Sequence, residues 1–285
     1  MSNEYMNDAT SPGKVARLEH QAGLVGNATG LLPPLLEDTD FRSVLDIGCG
    51  PGRWVFDMGF EYPVARVVGI DISPEMIAYA SARARSQGLR NVSFETQDFL
   101  TNALPFAERS FDLINVRFAA GWVKGYATWL LFLCRCSVLL KPGGWLIVTE
   151  GEGIYTNSLA LQRLQEILCA ALFNAGYSLS ASPRFLGVVA QLGHLLVDAG
   201  FHEVQTAASV LDYSHYREEA NRAWRDSFHA LISEAAPFLL NCKATTAQEL
   251  AQVDRQILID MFQEGFCGIG PLFTFSAQKA QAADG

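Results

Sequence analysis

Apolar and polar positions alternate along this chain in blocks that switch between strand-like and helix-like spacing. Short apolar runs rich in Val, Ile and Phe predict buried strands at 43–47, 66–71, 91–95, 111–116 and 144–149. The segments between these runs have helical spacing. Because strands alternate with helices, the pattern predicts a parallel sheet that helices cover on both faces.

The pattern beyond residue 150 predicts further helices and two more strands. The predicted elements are helices near 158–176 and 185–199, a strand at 201–211, helices at 214–240 and 246–266, and a last strand at 271–278. Helices 214–240 and 246–266 carry several large apolar residues, including Trp224 and Phe228, at helical spacing. Internal packing is typical of such spacing, and a ligand-binding surface is the alternative.

Three glycines stand at every second position directly after the first predicted strand, at Gly48, Gly50 and Gly52. Such density lets the backbone turn sharply and approach a ligand closely. The dinucleotide fingerprint requires its third glycine at position 53, which is Arg53, and an acidic residue, Asp46, precedes the first glycine. We expect a nucleotide-like ligand at the start of the following helix, and a purely structural turn is the alternative.

Acidic residues also follow the second and third predicted strands. Asp71 lies about 20 residues after the glycines, where a carboxylate can accept hydrogen bonds from both hydroxyls of a ribose. Ile72 and Met76 are placed to close over the faces of an adenine ring, and Asp98 follows the third strand. Acidic residues at three successive strand ends favour a nucleoside-containing ligand.

Asp46 and the G-x-G-x-G spacing resemble motif I of the class I S-adenosylmethionine-dependent methyltransferases. The resemblance implies a Rossmann-like α/β fold, a seven-stranded and mostly parallel sheet with an antiparallel last strand, plus a helical cap. It implies S-adenosyl-L-methionine as the cofactor, with Asp46 at its amino-acid end and Asp98 at the adenine amino group. The implied cofactor-binding residues are Asp46, Gly48, Gly50, Gly52, Asp71, Ile72, Met76, Asp98, Phe99 and Asn115.

Gly52-Arg-Trp54, the run at 111–118 and the Lys-Pro-Gly-Gly-Trp segment ending at Trp145 resemble the LaeA-like methyltransferases of fungal secondary metabolism and their bacterial relatives. This similarity covers about residues 15–150. The chain departs from that group at Cys49, where threonine is usual, and its C-terminal half does not resemble that group. The resemblance therefore implies no particular substrate.

We expect three structural parts. Residues 1–40 are expected to form a helical lid, and residues 41–213 with 270–281 the methyltransferase core. Residues 214–269 are expected to form a helical insertion that caps the substrate. A roof of this kind is needed because the core strands alone cannot exclude water from the reacting atoms.

Composition narrows the classes of partner. Of 285 residues, 49% are hydrophobic and 18% charged, which allows a large core, and the net charge of −9 argues against nucleic acid. The six cysteines show no metal-ligand spacing, so no metal is expected. The start of the chain does not resemble a signal peptide, and the apolar run 127–140 is too short to span a membrane. We expect a cytoplasmic protein with a small-molecule substrate and no membrane partner, and a homodimer is one option.

Methyl transfer requires an aligned nucleophile and, for some substrates, a nearby base. The candidate catalytic residues are Glu150, His229 and His20, for each of which a structural role is the alternative. The candidate substrate-pocket residues are Arg117, Trp122, Tyr155 and Phe228. The run Asn115-Val-Arg-Phe118 lacks the two prolines of the amino-methylase box, which argues against methylation of nucleic-acid bases.

Three functions are consistent with these features. The leading hypothesis is O- or C-methylation of a small, largely apolar molecule in specialised metabolism. A second is a non-catalytic LaeA-like regulatory protein that binds partners. A third is a cofactor-binding enzyme that catalyses a rearrangement or cyclisation without methyl transfer.

Overall fold

The computed structural model describes residues 12–281. Its helices are α1 (Pro12–Thr29), α2 (Arg53–Glu61), α3 (Pro74–Ser86), α4 (Gly125–Leu139), α5 (Leu159–Asn174), α6 (Val188–Asp198), α7 (Glu218–Asn241) and α8 (Ala247–Met261). Its strands are β1 (Ser43–Ile47), β2 (Arg66–Asp71), β3 (Val92–Thr96), β4 (Phe111–Arg117), β5 (Leu140–Gly151), β6 (Tyr155–Thr156), β7 (Phe201–Asp212) and β8 (Gly268–Lys279). Short 3-10 helices lie at Pro34–Leu36 and Ala119–Gly121.

The strands form one mixed sheet in the order β3-β2-β1-β4-β5-β8, with β7 on the far side of β8. Strands β1 to β5 pair in parallel, and β8 is antiparallel to both β5 and β7. The two-residue strand β6 pairs with β8 beyond the point where β5 ends. The predicted fold class is confirmed, and β6 is an addition too short for a periodic pattern to reveal.

The two faces of the sheet are covered by different helices, as the burial of successive strand residues requires. Leu45, Ile47 and Ile70 belong to the apolar cluster that contains α4 and α6. Val44 and Val67 belong to the opposite cluster, which contains α2 and the segment that precedes β1. The carboxyl ends of β1, β2 and β4 therefore emerge between two packed helical layers.

Helices α5, α7 and α8 form a third apolar cluster beside β7 and β8. Val25 of α1 lies in this cluster, whereas Leu32 and Leu36, a few residues later, belong to the cluster between the sheet and α2. The N-terminal segment thus joins two parts of the core by its own packing. The division into lid, core and cap remains a prediction, and residues 1–11 of the expected lid lie outside the described residues.

One strand boundary differs from the prediction. Strand β5 begins at Leu140 and not at residue 144, because Leu140 already pairs with Phe111, and the pairing resumes, after a shift of register, between Trp145 and Leu113. In the part of the chain that the structure describes, every helix is too short or too polar to cross a membrane.

Candidate active site

The glycine turn leads from β1 into α2 with all three glycines at positive φ. A Cβ atom at Gly52 would lie 2.7 Å from the ring of Phe94, so close packing against β3 requires glycine there. A Cβ atom at Gly50 would meet nothing within 4 Å. Gly52 is therefore explained by packing, whereas Gly50 borders open space at the end of β1.

Asp71 connects the glycine turn to the turn after β2. Its Oδ2 accepts a hydrogen bond from the Gly50 N–H at 2.9 Å, and its Oδ1 accepts one from the Ser73 N–H at 2.9 Å. Each oxygen of an ionised carboxylate can accept a further hydrogen bond. The predicted contact with a ribose remains a prediction, and the structure adds a second role, which is to fix the turn around Gly50.

A hollow opens at the carboxyl ends of β1, β2 and β3. It brings together many of the predicted residues, and its walls include Gly48, Asp71, Ile72, Asp98, Phe99 and Trp122. Gln97 and Leu100, which sequence reasoning missed, complete the wall beside Asp98. Carboxylates next to aliphatic and aromatic surfaces suit the ribose and base of an adenosine. Met76 instead has its side chain buried on α3 and is not part of this wall.

The Asp98 carboxylate accepts hydrogen bonds from the turn that follows it in the chain. Its Oδ1 accepts hydrogen bonds from the backbone N–H groups of Leu100 at 2.9 Å and Thr101 at 3.3 Å, and the Thr101 hydroxyl contacts its Oδ2. Asp98 therefore shapes the wall of the hollow. Its contact with an adenine amino group remains a prediction.

Asp46 has one satisfied and one unsatisfied carboxylate oxygen. The side chain is 2% exposed, and the Asn115 Nδ2 donates a hydrogen bond of 2.8 Å to its Oδ1. Its Oδ2 is buried and, among residues 12–281, has no hydrogen-bond partner. Burial raises the pKa of Asp46 to about 6, against the opposing effects of Arg117 and Asn115. An acceptor without a partner in this place is suited to a cationic ligand group.

A second hollow lies next to Asn115, the hydrogen-bond partner of Asp46, at the ends of β4 and β5 and against the middle of β8. Its walls include Asn115, Arg117, Trp54, Thr149 and Thr274, together with residues 29–33. The hydroxyls of Thr149 and Thr274 lie 3.0 Å apart, and the Trp54 indole N–H donates to a backbone carbonyl of the 29–33 segment at 2.9 Å. Sequence reasoning missed both threonines. The strand-end rule could have found Thr149, whereas Thr274 lies within an antiparallel strand and gives no such signal.

Glu150 stabilises the turn that follows β4. It is 2% exposed, and its Oε1 accepts hydrogen bonds from the N–H groups of Ala119 at 2.5 Å and Ala120 at 3.1 Å. These bonds hold a turn in which Phe118 has a φ of 58° and which leads to Trp122. Burial raises the pKa of Glu150 to about 8, although the two backbone N–H groups oppose the shift. The observed role is positional, and proton abstraction by Glu150 remains a prediction.

The two candidate histidines lie away from both hollows. His20 on α1 has its Nε2 3.5 Å from the Glu219 carboxylate and lines a separate, outer depression. His229 on α7 has its Nδ1 2.9 Å from Asp254 and is exposed. The described geometry does not bring either ring to the Asp46 carboxylate or the Trp122 indole.

Two of the four candidate substrate-pocket residues, Arg117 and Trp122, line the hollows. Tyr155 is 65% exposed on β6. Phe228 is buried, with its ring centroid 5.7 Å from that of Tyr213. The aromatic residues of α7 pack against one another inside the protein, as the packing interpretation of their spacing predicted.

These features can be tested against the parts of S-adenosylmethionine. The hollow beside Asp71 suits the adenosine, and the open space at Gly50 leaves room for the cofactor's carbon chain that is attached to the adenosine. The Oδ2 of Asp46, which has no hydrogen-bond partner among residues 12–281, suits the cofactor's ammonium group. The residues present therefore fit the cofactor. Within residues 12–281 no group of three or more His, Cys, Asp or Glu side chains is arranged to bind a metal ion.

Comparison with known proteins agrees with this geometry. Residues 44–144 match a family described as a methyltransferase domain. Over 200 residues the chain is 28% identical to methyltransferase pytC of Aspergillus terreus, in an alignment that covers 67% of this chain and 57% of that protein. Over 205 residues it is 29% identical to trans-aconitate 2-methyltransferase of Methylobacterium radiotolerans, with 72% of this chain and 68% of that protein covered.

A solved structure of Haemonchus contortus phosphoethanolamine N-methyltransferase 2, in complex with phosphomonomethylethanolamine and S-adenosylhomocysteine, has the same fold. The two chains superpose with a TM-score of 0.51 at 17% identity, and the match covers 93% of this chain and 53% of that one.

The match to pytC spans little more than half of that relative's length. The fungal source of that relative agrees loosely with the LaeA-like resemblance. The methyltransferase domain at residues 44–144, and the similarity to named methyltransferases over about two thirds of the chain, support the predicted family of class I S-adenosylmethionine-dependent methyltransferases and its cofactor.

Proposed function

We propose that this protein transfers the methyl group of S-adenosylmethionine to an oxygen or carbon atom of a small organic molecule, in specialised metabolism. The observation that carries the proposal is a pair of hollows at the carboxyl ends of the parallel strands, one lined by Gly48 and Asp71 and the other by Asn115 and Arg117. The first hollow suits an adenosine, and the second, which is narrow in this structure, marks the side from which an acceptor would approach.

When bound, S-adenosylmethionine supplies a methyl group that is activated by a sulfonium and leaves a neutral thioether behind. The protein's task is to align the acceptor and exclude water. Asp71 fixes the glycine turn through the Gly50 N–H, and Glu150 fixes the turn that carries Trp122 towards Gly48. Asp46, Gly50 and Asp71 would hold the cofactor so that its methyl group could be transferred to the acceptor atom, and the acceptor's proton would pass to a base or to solvent.

We infer the polarity of the acceptor from the residues that line the second hollow. The aromatic residues Trp224 and Phe228 of α7 pack against Tyr213 inside the protein, so they give no support to a largely apolar substrate. The walls instead combine Trp54 and Leu31 with the polar groups of Arg117, Thr149 and Thr274. We therefore propose an acceptor that has both an apolar body and at least one polar or anionic group.

The test is an incubation of the full chain with S-adenosylmethionine and a panel of small phenols, enols and carboxylic acids. Trans-aconitate belongs in the panel because one relative bears the name of that substrate. We expect acceptor-dependent formation of S-adenosylhomocysteine and a product heavier by one methylene. An acceptor converted without a change of mass would instead support the rearrangement hypothesis. Cofactor binding with no conversion of any panel member would support the regulatory one.

A further inference from the structure

Arg135 lies on α4, behind the wall of the hollow that suits the adenosine. That part of the wall is formed by Asp98, Phe99 and Leu100, in the turn that follows β3. Arg135 is not among the residues that line the hollow. Its side chain is half-buried and reaches the turn from α4. Any effect of Arg135 on a ligand in the hollow must therefore pass through the turn.

The guanidinium of Arg135 makes three contacts with this turn. Its Nη2 donates a hydrogen bond of 2.6 Å to the carbonyl oxygen of Asn102, and its Nη1 donates one of 3.4 Å to the carbonyl oxygen of Leu100. Its central carbon lies 5.4 Å from the centroid of the Phe99 ring, within the range of a cation–π contact. The Phe99 ring also packs edge-on against Phe132 of α4, with the centroids 5.2 Å apart. Polar and aromatic contacts together hold the turn against α4.

Asp98 and Arg135 bind complementary groups of the same turn. Asp98 accepts hydrogen bonds from its N–H groups, whereas Arg135 donates to its carbonyl groups. Within residues 12–281 no backbone N–H donates to the carbonyl of Leu100 or of Asn102. An arginine suits this place, because its planar fork reaches two acceptors while its flat face covers an aromatic ring. Without the guanidinium the turn would lose these contacts with α4, and Asp98 would be free to shift with it.

We propose that Arg135 is a positioning residue for recognition of the adenine, because it holds the turn 98–102 where the Asp98 carboxylate meets the adenine amino group. This inference rests on the proposed function, since the adenine belongs to the cofactor of that site. A role in stability alone is the alternative. The two roles differ in one measurable property. Displacement of Asp98 lowers the preference for adenine over a base without the amino group, whereas a general loss of stability does not.

The test compares S-adenosylhomocysteine with S-inosylhomocysteine, in which a carbonyl oxygen replaces the adenine amino group. Isothermal titration calorimetry of the full chain gives both affinities and hence their ratio. We expect the unaltered protein to prefer S-adenosylhomocysteine at least about tenfold, the effect of one hydrogen bond to a charged group. Arg135→Leu should reduce this preference to less than about threefold. Arg135→Lys keeps a charged donor without the fork and should give an intermediate preference.

Arg225→Leu is the matched control. Arg225 lies on α7, and its guanidinium carbon is 4.0 Å from the centroid of the Phe262 ring at the end of α8. This is the same kind of arginine–phenylalanine contact, made outside the turn 98–102. The control should change the preference by less than about threefold.

Each outcome decides the question. A reduced preference in Arg135→Leu, with an intermediate one in Arg135→Lys, supports the inference, and if Arg135→Leu does not fold, the reduction in Arg135→Lys decides alone. A retained preference overturns it, whether or not both affinities fall equally, because Arg135 would then serve stability alone. An equal reduction in Arg225→Leu, or no preference in the unaltered protein, also overturns it. Failure of the unaltered protein to bind S-adenosylhomocysteine refutes the proposed function itself.

Discussion

Replacement of Asp46 by asparagine should make the cofactor-free protein more stable while weakening its binding of cofactor. The carboxylate is 2% exposed, and burial raises its pKa from 3.8 to about 6. A shift of about 2 units corresponds to about 3 kcal/mol of unfolding free energy that the ionised form costs the folded state. The ionised Asp46 carboxylate thus lowers the stability of the cofactor-free protein, and such destabilising groups are common at functional sites.

The sign of the pH dependence follows from the raised pKa. The contribution of Asp46 to stability is fully present below 3.8 and is lost as the pH rises through about 6. The asparagine introduced by Asp46→Asn would keep an oxygen that accepts the Asn115 hydrogen bond and would carry no charge. The gain should therefore approach about 3 kcal/mol at pH 8 and be smaller at pH 5. The attraction between Asp46 and Arg117 is already included in this figure, because it is one of the causes of the shifted pKa.

Urea denaturation of the cofactor-free protein at pH 5 and pH 8 measures the stability gain, and calorimetric titration with S-adenosylhomocysteine measures the affinity. Asp57→Asn is the control, because it removes a partly exposed carboxylate paired with Arg53 and should change stability by less than about 1 kcal/mol. If Asp46→Asn is less stable than the unaltered protein at pH 8, or binds S-adenosylhomocysteine equally well, the assignment of Asp46 is refuted.

Three further substitutions test other parts of the site. Gly50→Ala adds a methyl group where nothing lies within 4 Å and should weaken cofactor binding at least tenfold. Gly88→Ala is the control, because Gly88 has a similar positive φ and open surroundings but follows the far end of α3, a helix about 20 Å long, and it should leave binding unchanged. Equal affinities of the two variants would contradict the placement of the cofactor at Gly50. Glu150→Gln removes a group whose contribution to stability is lost as the pH rises from 4.5 through about 8, so urea denaturation should show a smaller fall in stability between pH 5 and pH 8; an unchanged fall would contradict the raised pKa. Asp71→Ala removes the acceptor of the Gly50 N–H and a predicted ribose ligand, and a loss of cofactor affinity below about threefold would exclude both roles.

The parts of the site that the sequence predicts well are those with a local signal. The glycine turn, Asp46 and Asp71 all follow apolar strands, and parallel strands bring their carboxyl ends to one edge of the sheet. The glycine turn also indicates the methyltransferase fold, and that fold fixes the order of the strands. None of these predictions requires knowledge of which distant segments pack together.

The parts that sequence reasoning missed depend on packing between distant segments. Thr274 reaches the second hollow only because β8 inserts beside β5, some 125 residues from its partner Thr149. Phe228 has the same helical spacing whether it faces a ligand or Tyr213, and the structure alone decides. The carboxylate of Glu150 was a candidate base because it ends a strand, yet its backbone partners are fixed by the turn after β4.

The most direct test of the whole account is titration of the unaltered full chain with S-adenosylhomocysteine in a calorimeter at pH 7.5. The geometry at Asp46, Gly50 and Asp71 predicts saturable binding at one site, with heat that methylthioadenosine, which lacks the amino-acid tail, reproduces only at much higher concentration. Absence of binding up to about 1 mM, well above ordinary enzyme affinities for their ligands, would contradict the cofactor site from which every other conclusion follows.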